Sequence, residues 1–461
     1  MRATLSWVRV VASWLVRLEI PILAAIYIFF VVSDQVPLGA FGLLALIWLA
    51  RWWTTGRLTL TTPLDLPILL LLAWLPLSLS VSIYTWQSLP KVYGVILGVA
   101  FFYAIVNAIQ SRRDLAWAVF WLVVVCAAIA LAGLVGTDWA QSKIISASFI
   151  YDRLPRFIQG IPRSIAGGFA RNGVGGTLTF VVPLLASLAL SKMQWDADWL
   201  WRSAPQSRRQ TRIHSFFQCS SAFVRVQFRW IVFAAFLLSL VTLALTQSRG
   251  GLLGAAVGLL GVAIWRERRF TWIIAIGAVG LVVLLALGYS NTLVNFILQM
   301  DAQSGTLASR LEVWQRGLMM VQDYPYTGIG IGTYNSIAHL LYPFFIAAPD
   351  EVVAHAHNNL LEVAVDVGIP GLIAYMAVLT GFVISALRAY RTTIDTSVRA
   401  LIVGLGFGML AHQVFGLTDA FILGTKPGIL LWVFLAFVMV IYQRRMDESV
   451  AGRPSAVLNR Q

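Results

Sequence analysis

Thr271-Trp-Ile-Ile-Ala-Ile-Gly-Ala-Val-Gly-Leu-Val-Val-Leu-Leu-Ala-Leu-Gly-Tyr289 carries no charged residue and follows closely on Arg266-Glu-Arg-Arg269. Crossing the hydrocarbon core takes about 20 apolar residues, so this stretch reads as a membrane helix with a basic anchor at one end. The pattern recurs along the chain. Of 461 residues, 59% are hydrophobic and 12% charged, with a mean hydropathy of +0.79. A water-soluble domain has no use for so much apolar surface. The expectation is an all-α polytopic integral membrane protein of about twelve transmembrane helices. These fall near 18–33, 37–53, 66–83, 92–109, 115–136, 173–191, 230–246, 250–265, 271–289, 369–387, 400–418 and 427–442. Runs as short as Gly250–Trp265 need tilt or snorkelling flanks to span.

The formal net charge of +14 does not mark a nucleic-acid partner here. With alternating sides and an inside N-terminus, most of the 34 Lys and Arg residues face the cytoplasm, including Arg112-Arg113, Arg266–Arg269 and Arg444-Arg445. That bias orients the chain, with both termini cytoplasmic. Arg2, Arg9 and Arg17 precede the first apolar run, and no small-residue cleavage site stands out after Val32, so an uncleaved signal anchor is expected. Cys126 and Cys219 fall in a membrane helix and a cytoplasmic loop, which suits plain thiols.

Three connections are too long for simple turns. The one near 192–229 carries Arg202, Arg208, Arg209, Arg212, Arg225 and Arg229 and reads as a topology anchor on anionic lipid. Its Asp196-Ala-Asp198 spells the metal-holding pair of nucleotide-sugar transferases, but no α/β domain accompanies it. The outward connection from Thr137 to Asn172 places Lys143, Arg153, Arg156, Arg163 and Arg171 against the positive-inside bias. An anionic ligand and lipid headgroups both fit that patch. The longest outer connection, 290–358, opens with a helical pattern in which Leu311, Trp314, Leu318 and Val321 form an apolar stripe, expected to pack on the membrane domain. Pro325 and Gly328-Ile-Gly-Ile-Gly332 end that helix in what reads as a flexible turn. The expected result is a helical subdomain on the outer, periplasmic side.

Chemistry concentrates at the outer boundary. Ala354-His-Ala-His-Asn-Asn-Leu-Leu-Glu362 holds two of the five histidines. Asn359 and Glu362 have the spacing of an N-cap box, which puts His355 and His357 at a helix mouth that favours anions. Thr246-Gln-Ser-Arg-Gly-Gly251 joins two apolar runs so tightly that Arg249 sits at the membrane boundary, facing a polar cavity or lipid phosphate. Arg310 and Arg316 flank Trp314, and an arginine fork binds phosphate oxygens in pairs. Glu362 and Asp366 lie one helical turn apart. His412 reads as a satisfied intramembrane histidine.

Leu245-Thr-Gln-Ser-Arg-Gly-Gly251, Arg310 with Trp314, Gly328-x-Gly, and His357-Asn-Asn-Leu-Leu-Glu-Val-Ala-Val-Asp-Val-Gly-Ile-Pro-Gly371 occur in one order. With Gly168-Phe-Ala-Arg-Asn172 and Pro183, they resemble the O-antigen ligase and polymerase superfamily over about residues 165–375. On that resemblance the chain divides into N-terminal helices and a first outer loop (1–164), a ligase-like core (165–375), C-terminal helices (376–442) and a cytoplasmic tail (443–461). The resemblance implies transfer of a glycan from undecaprenyl diphosphate to an acceptor hydroxyl, outside the bacterial inner membrane, for cell-surface polysaccharide. The acceptor is the lipid A core or another glycan, and the other partners are membrane lipids. His357, Arg249 and Arg310 correspond to the family's essential residues. Around them, His355, Asn358, Arg171, Asn172, Arg316, Glu362 and Asp366 are expected to bind substrate. Arginines beside a histidine suffice without a metal or cofactor. The second histidine, His355, departs from the usual pattern, and Asp366 stands where many relatives carry Glu.

Two rivals stay open. A polymerase joining lipid-linked repeats needs the same diphosphate chemistry. A lipid-linked glycan flippase fits twelve helices and a cationic outer loop, but transporters more often place ionisable groups at mid-membrane.

Overall fold

The computed structural model describes residues 11–33, 38–137, 139, 169–191, 214–288, 306–345, 353–421 and 423–451; for 32, 38, 214–227, 281, 306–307 and 445–451 it describes the backbone alone. Lys143, Arg153, Arg156 and Arg163, and most of the 192–229 connection, lie outside them. Among the described residues the fold is all-α, with one isolated bridge between Thr137 and Phe169 and no strand. The helices are α1 (Glu19–Ser33), α2 (Leu38–Thr55), α3 (Asp65–Val81), α4 (Thr85–Ala108), α5 (Arg112–Gly136), α6 (Arg171–Leu190) and α7 (His214–Thr246). They continue as α8 (Arg249–Arg266), α9 (Thr271–Ala286), α10 (Thr306–Asp323), α11 (Tyr334–Leu341), α12 (Asn359–Thr392), α13 (Thr396–Phe415) and α14 (Ile429–Ala451).

Eight of these helices are long and apolar enough to cross a membrane, or nine if the pair Val11–Arg17 and Glu19–Val31, bent by 55°, makes one span. Asp65–Val81 and Ile429–Arg444 are shorter apolar helices. The protein is a polytopic membrane protein. Its outward surface is correspondingly oily: Trp52, Trp86, Trp121, Trp272, Ile276 and Val279 are all exposed. That arrangement suits lipid, which solvates apolar side chains and draws Trp to its interfaces.

Two groups of helices flank one continuous core. α6 is the most buried span and packs on α7, α8 and α13. Glycines set the close approach: a Cβ on Gly258 would strike Pro183 at 2.5 Å, and one on Gly408 would meet Phe180 O at 2.5 Å. On the other side α3 packs on α12, and α4 on α14. Buried Glu19 and Arg51 pair between α1 and α2.

α10 and α11 form a small subdomain of their own, with Val313, Met320, Ile329, Tyr334, Ile337 and Val353 as its core. The expected stripe is corrected here. Leu311 and Leu318 are exposed, whereas Val313, Gly317 and Met320 face inward, and Gly317 lets α10 approach Leu361 of α12. Of the other two stripe residues, Val321 packs against this core and Trp314 is half-buried. Glu312 also goes inward because it has work there, accepting the Phe345 N–H at 2.6 Å.

Candidate functional site

α12 begins with a cap, one residue earlier than expected. Asn358 Oδ1 accepts the N–H groups of Leu360 and Leu361, both at 3.1 Å. The predicted box on Asn359 and Glu362 does not form, because both side chains are engaged elsewhere. Asn359 Oδ1 accepts from Phe421 N at 3.2 Å, and Asn359 N donates to Gly416 O at 2.7 Å. These two bonds tie the start of α12 to the segment that follows α13.

That segment carries a residue sequence reasoning missed. Asp419, 2% exposed, lies between the paired histidines. Its Oδ1 stands 2.8 Å from His355 Nε2 and 3.1 Å from His357 Nδ1, and it also takes the Ala420 N–H at 3.0 Å. An ionised carboxylate only accepts, so both facing ring nitrogens carry hydrogen. That leaves Nε2 as the lone-pair nitrogen of a neutral His357. The two rings lie 4.3 Å apart, and Phe421 meets His355 edge-on. Burial lowers the pKa of His355. Burial would raise that of Asp419, but the hydrogen bond and charge of His357, with help from His355 and the Ala420 N–H, hold it below the usual range.

His357 has φ +50°. Among the described residues the other non-glycine with positive φ is Gln247, at +49°. Left-handed backbone is uncommon outside glycine, and such strain gathers at functional sites. Here it adjoins both motifs singled out from the sequence. Gln247 forms the tight turn from α7 into α8, where Ser248 Oγ accepts from Gly251 N at 3.3 Å. Arg249 is therefore exposed on the first residue of α8, where the helix dipole reinforces its attraction for anions.

Glycine contacts show what surrounds that turn. Gly250 abuts Thr418, the neighbour of Asp419, closely enough that a Cβ would overlap its Oγ1. A Cβ on Gly175 would lie 2.6 Å from Ser248 Cβ, and one on Gly173 would lie 3.8 Å from the Phe421 ring. The starts of α6, α8 and α12 thus converge on residues 415–421. Arg171 and Asn172, half-buried, open α6, with the Arg171 guanidinium 5.8 Å from the Trp139 ring.

α10 supplies the next wall. Trp314 Nε1 donates to His357 O at 3.4 Å, and Arg310, one turn earlier, shares its face. Arg316, two residues on, projects from the other side, 3.6 Å from Glu312 and with its guanidinium 5.2 Å from the Phe345 ring. Arg316 is not brought to the histidines.

Glu362 and Asp366 are likewise turned inward. Lys91 of α4 meets Glu362 Oε1 at 2.7 Å and Asp366 Oδ2 at 3.2 Å. The remaining oxygens take Ala356 N at 2.7 Å and Gly332 N at 2.8 Å. With 6% and 0% exposure, these carboxylates hold the histidine loop and the glycine turn instead of presenting themselves to a ligand. Lys91 lies inside α4 and its partners are 271 and 275 positions further on, so nothing local in the sequence names them.

The glycine turn is packed, not flexible. Gly328, Gly330 and Gly332 all have positive φ, and Gly328 and Gly330 are buried. The turn seats itself against a break in α12, where Gly368 has φ +71°. Pro370 has no N–H for Asp366 O, and Ile369 N donates to Pro325 O at 2.7 Å. The freed carbonyls are satisfied by Ser78 Oγ on Asp366 O, 2.7 Å, and Ile329 N on Val365 O, 2.9 Å.

His355, His357 and Asp419 each offer a ligand atom within 4.8 Å of the others, the one such group of three among the described residues. Comparison with curated proteins gives no match. Residues 234–376, which hold Arg249, Arg310, both histidines and Asp366, match the O-antigen ligase family model. That stretch of the chain is thus similar to the O-antigen ligase family, which supports a relationship to the O-antigen ligase superfamily.

Proposed function

We propose that the protein transfers a glycan from undecaprenyl diphosphate to an acceptor hydroxyl, the lipid A core or another glycan, on the outer face of the inner membrane. The termini are cytoplasmic in this reading, and the core is residues 165–375. The observation that carries it is the His357–Asp419 pair, 3.1 Å apart, beside the α8 turn bearing Arg249. The acceptor hydroxyl gives its proton to His357 Nε2 while its oxygen attacks the anomeric carbon. The bond from that carbon to the diphosphate oxygen breaks, and its electron pair leaves on the diphosphate. Arg249 and Arg310 meet the growing charge, with no metal required. Asp419 balances the imidazolium that forms. Displacement from the opposite face inverts the anomeric centre. Arg171, Asn172 and Asn358 line the approach for sugar or phosphate.

The test is product formation. Purified protein, lipid-linked oligosaccharide and an acceptor glycolipid should give a coupled product by mass, in excess EDTA. A product joining two lipid-linked repeats instead would identify a polymerase. Lipid-linked glycan crossing proteoliposomes with no coupled product from any acceptor would leave a flippase.

A further inference from the structure

The proposed reaction needs one imidazole and one carboxylate to orient it. The site holds a second imidazole aimed at the same oxygen. His355 Nε2 and His357 Nδ1 approach Asp419 Oδ1 at 2.8 and 3.1 Å, and all three ligand atoms fall within 4.8 Å of one another. Two imidazoles and a carboxylate are a donor set that zinc-class dications favour, with bonds of about 2.0–2.2 Å. Ligand atoms around such a tetrahedral ion stand about 3.3 Å apart, so the two contacts would open by only a few tenths of an ångström.

The surroundings suit a metal as well. The Ala420 N–H holds Asp419 Oδ1, Phe421 backs His355, and Glu362 fixes Ala356 between the rings. Such outer contacts keep ligands oriented. The side chain of His357 is 27% exposed, which leaves a way in and a fourth position for water. The two imidazole nitrogens do not suit magnesium, which wants six oxygens.

We propose that His355, His357 and Asp419 form a binding site for one zinc-class dication, and that filling it silences glycan transfer. The second half rests on the reading of His357 as the base. A metal on Nδ1 puts the ring hydrogen on Nε2, and the lone pair that would take the acceptor proton is gone.

The test uses the full-length protein in detergent, stripped with chelator and titrated with Co²⁺ as a visible probe. One Co²⁺ per chain should bind with a tetrahedral spectrum, be displaced by Zn²⁺, and resist excess Mg²⁺. His355→Ala and Asp419→Ala, each checked by thermal unfolding and gel filtration, should weaken binding by at least about 100-fold, beyond what loss of an outer partner costs. No bound Co²⁺ in the wild type, or unchanged affinity in both variants, overturns the site. Transfer should fall on adding Zn²⁺ and return with chelator. Zinc-loaded protein turning over at the metal-free rate overturns the silencing. If metal-free protein makes no product at all, the transferase reading fails, while the Co²⁺ spectrum still decides the site.

Discussion

Lys91 meets a residue 271 positions further along the chain, with its Nζ 2.7 Å from Glu362 Oε1. Through Asp366 and Glu362, this one ammonium connects α4 to the glycine turn and to the loop between the histidines. Two buried carboxylates left without their cation would repel each other in a poorly solvated place.

Lys91→Met should therefore cost about 3–5 kcal/mol, as breaking a buried ion pair does. Thermal unfolding in detergent measures it. Adding Glu362→Gln and Asp366→Asn to Lys91→Met should recover part of the loss, because no carboxylate is then stranded. A triple variant no more stable than Lys91→Met would mean that the lysine acts through packing and not through charge.

Gly368→Ala addresses the break in α12. A side chain at φ +71° and ψ 180°, a region almost confined to glycine, costs on the order of 1–3 kcal/mol in backbone strain alone. The new Cβ would also lie 2.5 Å from Tyr326 O. The variant should unfold at lower temperature and lose the register of the glycine turn, seen as faster amide exchange at Ile329 and Ile331. Wild-type exchange there would show that the turn holds itself without the break.

The local part of this site could be read from sequence, and the long-range part could not. His357, Arg249 and Arg310 sit in motifs that name themselves by neighbours and order. Asp419 lies 62 residues from His357, just past an apolar run, where a lone acid looks like any loop residue. Lys91 is masked in the same way, since its partner Glu362 lies 271 positions away. The stripe held at Trp314 and Val321 but not at Leu311 and Leu318, because periodicity reports which residues are apolar, not how the helix is rotated on its neighbours; Val313, Gly317 and Met320 take the inward face. The cap slipped by one residue because Asn358 and Asn359 are both good cap residues, and the tertiary bond from Phe421 N to Asn359 Oδ1 decided between them.

Acid should destabilise the site in two stages. Burial lowers the pKa of His355, so on acidification the unfolded chain takes up that proton first. Its contribution is full above the unfolded value near 6.5 and is lost as pH falls from there towards the folded value. Asp419 is also shifted downwards, so its contribution holds above about 3.9 and fades below. The Tm should start to drop just under pH 6.5 and drop again under about pH 4. His355→Gln should remove the first drop only; if that drop survives in the variant, other groups carry it.

Asp419→Asn separates orientation from charge. An amide can present either its oxygen or its NH₂ to a ring nitrogen, so Nδ1 of His357 need no longer carry the hydrogen. The proposed base would then lose its tautomer and the partner for its positive form. Transfer should fall about 10²–10⁴-fold in kcat with KM nearly unchanged, the range for loss of acid–base catalysis. A variant that raises KM alone would place Asp419 in substrate binding.

The final prediction divides the work between the two histidines. His357→Ala should reduce transfer by about 10²–10⁴-fold and lower the unfolding temperature only in part, since Asp419 loses one ring N–H but keeps that of His355. His355→Ala should cost transfer less, because Asp419 still holds His357 Nδ1 at 3.1 Å without it. The order should reverse for stability, since His355 is the more buried ring, at 13% against 27% exposure. Arg249→Lys should fall in between. The ammonium keeps the charge at the start of α8 but loses the two-pronged grip on phosphate, so kcat should drop while binding of lipid diphosphate weakens only modestly. All three are read in one assay, coupled product by mass against time, with donor binding measured separately. Equal rates for His357→Ala and wild type would remove the acid–base role, and His355→Ala proving the slower of the two would move that role to His355.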